Sequence, residues 1–177
     1  MGIAALAVAK SAGAAQVIVL GAPKHRLEMA RRFGADHVID IDEAPTSAER
    51  IDAVRQLTGG YGADAVLECV GAPAAVVEGM EMCRDGGKYL VVGHYCDAGP
   101  VSWNPHIVTR KQLTVIGSWS SEPRHLRTAI GFLRDHREQF PFAEMVSHRF
   151  PLEKTNEALT TTAAWRSAKS VLVPGGV

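Results

Sequence analysis

Apolar residues recur along this chain in short β-branched runs, separated by stretches in which they return every three or four positions. Val17-Ile18-Val19-Leu20 is the first run, and it stops at Gly21. Leu27, Met29, Ala30 and Phe33 then fall at helical spacing, and Gly34 closes that pattern. A second short strand is expected from His37 to Ile41. Strand, tight turn, helix and strand make the βαβ unit of a parallel sheet. Ahead of this unit, Ile3 to Ala14 reads as an alanine-rich helix.

The alternation continues downstream. Thr46 or Ser47 caps a helix running to Thr58, with Glu49 in its first turn and Gly59-Gly60 at its end. Asp64 to Gly71 (DAVLECVG) is a short apolar strand. Pro73 opens a helix over Ala74 to Cys83, since proline suits a first turn, and Gly86-Gly87 breaks it. Lys88 to Gly93 (KYLVVG) and Lys111 to Gly117 (KQLTVIG) are strands, and His94 to Arg110 is read as a loop. Glu122-Pro123 starts a helix in which Leu126, Ile130 and Leu133 recur at helical spacing. In the tail, a half-exposed strand is expected over Met145 to Phe150, a helix over Leu152 to Trp165, and a strand over Ala168 to Val173. Alternating strands and helices predict a doubly wound α/β fold with a parallel sheet of the Rossmann type.

Composition narrows the function. A chain of 177 residues suits one domain with a small appendage. Lysine plus arginine and aspartate plus glutamate number 19 each, so net charge is near zero, which argues against a nucleic-acid footprint. No apolar run approaches the roughly 20 residues that span a bilayer, so no membrane role is expected. The apolar Ile3 to Ala9 lacks a charged leader and meets Lys10 at once, which argues against a secretory signal. Three cysteines (Cys69, Cys83, Cys96) without a C-x-x-C pair make a poor disulfide framework or zinc clasp, and they fit a reducing cytoplasm.

The start of the chain carries its own expectation. A dinucleotide fold opens with a strand and a G-x-G-x-x-G turn ahead of its first helix. Here Met1-Gly2 runs straight into a helix, with Gly2 placed like the last glycine of that turn. The chain is therefore expected to be a fragment of a larger enzyme, lacking the first strand.

In order, VIVLG, HRLEMARRFGAD, DAVLECVG, GKYLVVG, KQLTVIGSW and SAKSVLV resemble the medium-chain dehydrogenase/reductase superfamily, most closely its zinc-dependent alcohol and polyol dehydrogenases. The resemblance implies an oxidoreductase that moves a hydride between an alcohol or carbonyl substrate and NAD or NADP. It implies a cofactor-binding domain over residues 1–142 and, over residues 143–177, a segment returning to a catalytic domain. Zinc and all catalytic residues are expected only in that missing domain, and the chain alone is expected to be inactive.

The implied cofactor contacts follow the strand ends. Gly2 would bring the amino end of the first helix to the pyrophosphate, where backbone N–H groups favour an anion. Gly21 stands where many members carry an acid that reads the adenosine ribose, so NADP is admitted and NAD is not excluded. Arg26, with Lys24 and His25, would lie near that ribose. Val70, Gly71, Val92, Gly93, Ile116, Gly117 and Ser118 would line the nicotinamide half, and Lys169 would reach toward the pyrophosphate. In similar enzymes the last strand, Lys111 to Gly117, pairs across a subunit interface. An exposed strand edge offers a physical route to such a homo-oligomer.

Other residues read more plainly. Glu68, inside an apolar strand, is taken as structural and in need of a partner. His94-x-Cys96 offers too few ligands for a metal, Cys69 is a small residue beside the groove, and Trp103 and Trp119 carry no assignment. Two alternatives stay open: a zinc-independent quinone or enoyl reductase of the same superfamily, and a non-catalytic truncated product.

Overall fold

The β-branched runs become strands and the spaced apolar stretches become helices in a computed structural model that describes residues 1–175. The order is α1 (Gly2–Ser11), β1 (Ile18–Gly21), α2 (Lys24–Arg32), β2 (His37–Asp40), α3 (Ser47–Leu57), β3 (Ala63–Glu68), α4 (Pro73–Met82) and β4 (Cys83–Val91). It continues with α5 (His106–Arg110), β5 (Thr114–Gly117), α6 (Pro123–Asp135), β6 (His148–Pro151), α7 (Thr155–Ala163) and β7 (Ser170–Val173). Every ladder is parallel, as the alternating pattern predicts. No described helix is long and apolar enough to cross a membrane.

Local chemistry sets several boundaries. Thr46 and Glu49 form a reciprocal capping box, in which the Thr46 hydroxyl accepts from the Glu49 N–H while the Glu49 carboxylate accepts from the Thr46 N–H at 2.9 Å. Pro73 occupies the first turn of α4. Gly34, at φ +88°, ends α2 in the left-handed conformation that favours glycine.

Four expectations need correction. The stretch His94 to Arg110 is not all loop: Asn104 Oδ1 accepts from the His106 N–H at 3.0 Å and starts the short α5. β5 begins at Thr114 rather than Lys111, because Lys111 is the C-cap of α5, its N–H donating to the Ile107 carbonyl at 3.0 Å, and Gln112 is left-handed at φ 51°; the buried Lys111 ammonium donates to the Met80 and Glu81 carbonyls at 3.0 and 2.8 Å. It thereby satisfies orphan carbonyls at the end of α4. β4 begins at Cys83, so Gly86-Gly87 lies within a strand, beside a register shift between Ala63 and Ala65 of β3. In the tail, Phe142–Met145 and Leu152–Lys154 are single 3₁₀ turns, which delays β6 to His148 and α7 to Thr155.

The sheet is also divided. The described strands pair as β1–β2, β3–β4–β5 and β6–β7, with no ladder from β1 to β3. Side chains bridge that gap. Ile39, Val54 and Met82 form a buried cluster that gathers Ile18 and Leu20 from β1 with Ala63 and Val66 from β3. Arg50 of α3 grips Glu78 of α4 through two charge-assisted bonds, Nε to Oε1 at 2.7 Å and Nη2 to Oε2 at 2.6 Å. A second core unites α1 and α2 with the region before β6: Leu6, Ala7, Ala30 and Phe33 pack with Phe140, whose ring centroid stands 6.0 Å from that of Phe33.

At the base of β1 the Asp36 carboxylate accepts from the Val17 N–H at 2.7 Å and from Lys10 Nζ at 3.0 Å. These bonds, the Val17 N–H first, hold its carboxyl below the usual range. An acid with a depressed folded pKa stabilises the fold above its unfolded value and loses that contribution as pH falls through the folded value. Asp36→Asn is therefore expected to lower stability at neutral pH. It should also flatten the fall in urea midpoint below about pH 4, the ordinary aspartate value. Urea titrations at pH 7 and pH 3 measure both effects.

Candidate functional site

Parallel strands bring their carboxyl ends to one edge, where open α/β sheets bind ligands. Glu68, Val91 and Gly117 stand in one register row at the ends of β3, β4 and β5. Gly21 ends β1 beside Asp40 of β2. Gly2, the first residue of α1, lies against the residue after β3: a Cβ built on it would stand 4.0 Å from Cys69 Cβ. The positive end of α1 therefore opens at this edge, where an anion is favoured.

The loops after β3 and β4 touch backbone to backbone. Gly71 has φ +78°, and a Cβ on it would fall 2.5 Å from the Gly93 carbonyl oxygen. A Cβ on Gly93 would fall 2.5 Å from the Gly71 nitrogen and 2.6 Å from atoms of Cys69 and Val70. Only glycine allows this approach. Apolar side chains are left uncovered beside it: Val70 is 56% and Ile116 44% exposed. Val92 is half-buried, and Gly117 and Ser118 are exposed. The Ser118 N–H donates to the Val91 carbonyl at 3.0 Å, which carries the row one residue past β5.

The basic residues after Gly21 separate. Lys24 forms an exposed pair with Glu43 at 2.9 Å, and that hydrogen bond is the main reason its ammonium titrates above the ordinary range. His25 is exposed. Both line an open groove of about 470 Å³ between α2 and β2, with Glu28, Arg31, Asp40 and Glu43. Arg26 turns to the tail instead. Its guanidinium donates to the Ser167 carbonyl at 2.8 and 3.3 Å and lies 4.7 Å from the centre of the Trp165 ring. This clasp places exposed Lys169 two residues from the contact with α2, with the Lys169 carbonyl accepting from the Ser147 N–H at 3.0 Å.

The thiols and histidines are quieter. Burial pushes the Cys83 thiol up to about 11 and raises that of Cys69, so neither is a thiolate at neutral pH. His94 follows Gly93, and its Nε2 is buried without a partner. Among the described residues no group of three or more histidine, cysteine, aspartate or glutamate side chains could hold a metal ion. The described residues therefore do not fit a zinc site.

Two features of the edge escaped the sequence. Tyr95 and Trp119, after β4 and β5, stack with centroids 5.3 Å apart, and both stay exposed. No periodicity marks such a pair. Glu68, expected to need a partner, has three: its carboxylate accepts from the Val70, Gly71 and Gly93 N–H groups at 2.7, 2.6 and 3.1 Å.

Comparison with known proteins bears on the family and on the fold. Residues 1–135 match the family model described as zinc-binding dehydrogenase. A 5-exo-hydroxycamphor dehydrogenase of Pseudomonas putida is 30% identical over 97% of this chain and 47% of its own length. An alcohol dehydrogenase from Thermotoga maritima superposes with TM-score 0.88 at 31% identity, over 98% of this chain and 47% of that one. A zinc-binding dehydrogenase from Sinorhizobium meliloti 1021, bound to NADP, superposes with TM-score 0.83 at 23% identity, over 98% of this chain and 49% of that one. The chain spans about half the length of the relatives it matches.

Proposed function

The chain belongs to the zinc-binding dehydrogenase family, and from that premise we propose that it forms the NAD(P)-binding half of an alcohol or polyol dehydrogenase. The observation that carries the reading is the carboxyl edge: the aligned ends Glu68, Val91 and Gly117, the glycine approach of Gly71 to Gly93, and the amino end of α1. A dinucleotide fits these features part by part. Gly2 and the α1 N–H groups suit a pyrophosphate. Val70, Val92 and Ile116, with the small Gly117 and Ser118, offer an apolar wall and backbone clearance for a flat ring. Gly21, Lys24 and His25 border the ribose, with Lys169 as a point charge nearby. Arg26, occupied by Ser167 and Trp165, acts mainly by holding the tail against α2.

When bound, the nicotinamide supplies the hydride acceptor or donor. This chain's residues bind and orient it. In this reading, substrate, zinc and the acid–base groups belong to the remaining part of a protein of the relatives' length. We place residues 1–142 in the cofactor-binding body and residues 143–177 in the segment returning to the other domain. The face toward that domain begins earlier, at α6, whose Leu126, Ile130 and Leu133 are all exposed. The exposed β5, with Val115 and Ile116, is the edge at which a homo-oligomer would pair.

Titration with NADH and NADPH, followed by nicotinamide fluorescence, tests the reading: saturable binding supports it, and none by a folded chain refutes it. Gly21→Asp sharpens the test. A Cβ there meets only Leu27 Cδ2, at 3.8 Å, so the change fits the fold. Its carboxylate would repel a 2′-phosphate at the expected ribose position. The ratio of NADPH to NADH dissociation constants should rise roughly tenfold, the equivalent of about 1.4 kcal/mol. An unchanged ratio would remove Gly21 from the ribose.

A further inference from the structure

We propose that Glu68 is a positioning residue for the cofactor: a buried anion that clamps the β3 and β4 loops into the wall for the nicotinamide half of the dinucleotide. This rests on the cofactor reading above and deepens it.

Glu68 is the last residue of β3 and is 5% exposed. A buried carboxylate is costly unless its lone pairs are met. No lysine, arginine or histidine among the described residues pairs with it. It is met by backbone alone: Oε1 accepts from Val70 and Gly71, and Oε2 crosses to Gly93. Its own carbonyl accepts from the Val92 and Gly93 N–H groups at 3.0 and 2.9 Å. Of these five bonds, two fold the loop after β3 back onto Glu68, and three, made by the Val92 N–H and a shared Gly93 N–H, cross to the loop after β4. Hydrogen bonds to an ionised acceptor are about twice as strong as neutral ones, so the three to the carboxylate are the strong tethers.

The clamp has two consequences at the edge. It holds Gly71 and Gly93 at a separation where backbone atoms touch, and this sets where the exposed Val70 side chain stands. It also uses the N–H donors of Val70, Gly71 and Gly93. At these residues a ligand meets only side chains and carbonyls. The edge is thereby made an apolar and acceptor surface, next to the donor-rich amino end of α1 at Gly2. One end of the groove suits an anion and the other a neutral ring, and Glu68 creates that division.

A residue needed only for stability would weaken every ligand alike. A positioning residue for one end of the groove would not. Glu68→Gln keeps the shape, but it sets an amide NH₂ against a backbone N–H and removes the charge. Isothermal titration of the full chain is done with NADH and with ADP-ribose, which lacks the nicotinamide. In the variant, NADH is expected to bind at least about tenfold more weakly, the loss of about one charge-assisted bond, and ADP-ribose within about twofold of wild type. Glu68→Asp keeps the charge with a shorter reach and should recover part of the NADH affinity. It also serves as the test variant if far-UV circular dichroism shows Glu68→Gln unfolded. Equal losses for both ligands, or no loss for NADH, overturn the positioning role while the cofactor reading stands. Failure of the folded wild type to bind either ligand overturns the cofactor reading, and this proposal with it.

Discussion

Gly71→Ala is expected to destabilise the chain by roughly 3 kcal/mol, with two independent causes acting at one atom. The left-handed φ of +78° is strained for any residue with a Cβ. The new methyl would also meet the Gly93 carbonyl oxygen at 2.5 Å, a backbone atom that Glu68 helps to hold in place. Two other glycines separate these causes. Gly60, at φ +89°, has nothing within 4 Å of its would-be Cβ. Gly60→Ala should therefore cost about 1 kcal/mol from strain alone. Gly93 is not left-handed, yet its Cβ would strike three backbone atoms. Gly93→Ala should cost about 2 kcal/mol, the range for overpacking. Urea denaturation of the three variants checks the order. If Gly71→Ala costs no more than Gly60→Ala, the two loops are not in contact.

The second large effect is expected at the joint between the two main ladders. Arg50 and Glu78 are paired through two bonds, and their side chains are only 16% and 15% exposed. Arg50 also donates Nη1 to the Ala44 and Pro45 carbonyls at 2.8 and 2.9 Å. Removing Glu78 leaves a largely buried guanidinium without its counter-charge, a loss that costs about 3 kcal/mol in comparable sites. No described ladder joins β1 to β3, so that loss falls on a side-chain joint between α3 and α4. Glu78→Ala should therefore lower the urea midpoint sharply. The double change Arg50→Met with Glu78→Leu should recover most of it, because apolar pairs replace buried ion pairs at little cost. A double variant as unstable as Glu78→Ala would show that the charges themselves are required.

The sequence made the βαβ logic of Val17 to Asp40 legible because its signals are local: a β-branched run, a glycine stop and helical spacing. The same holds for the Thr46–Glu49 box and for Pro73. Other features turn on contacts and backbone turns that local patterns do not mark. Lys111 reads as the start of a strand, yet its backbone closes α5 and Gln112 turns left-handed before β5 can begin. Arg26, read from the sequence as a residue near the ribose, also meets the Ser167 carbonyl, 141 positions away, which no local pattern marks. Leu126, Ile130 and Leu133 recur at helical spacing and α6 is a helix, yet all three side chains are exposed among the described residues. Periodicity tells which face is apolar and not what will meet it. Glu68 was legible as a buried acid in need of a partner. Its role was not, because its partners are backbone N–H groups that no side-chain pattern marks.

A dinucleotide is proposed to lie along the carboxyl edge of β1, β3, β4 and β5. A ¹⁵N–¹H correlation spectrum of the 177-residue chain, titrated with NADH, tests it most directly. Saturable amide shifts are expected at Gly2, Gly21, Val70, Gly71, Val92, Gly93 and Gly117, with the Glu68-bound N–H signals among the most affected. Shifts confined to other surfaces, or none in a dispersed spectrum of the folded chain, would contradict it.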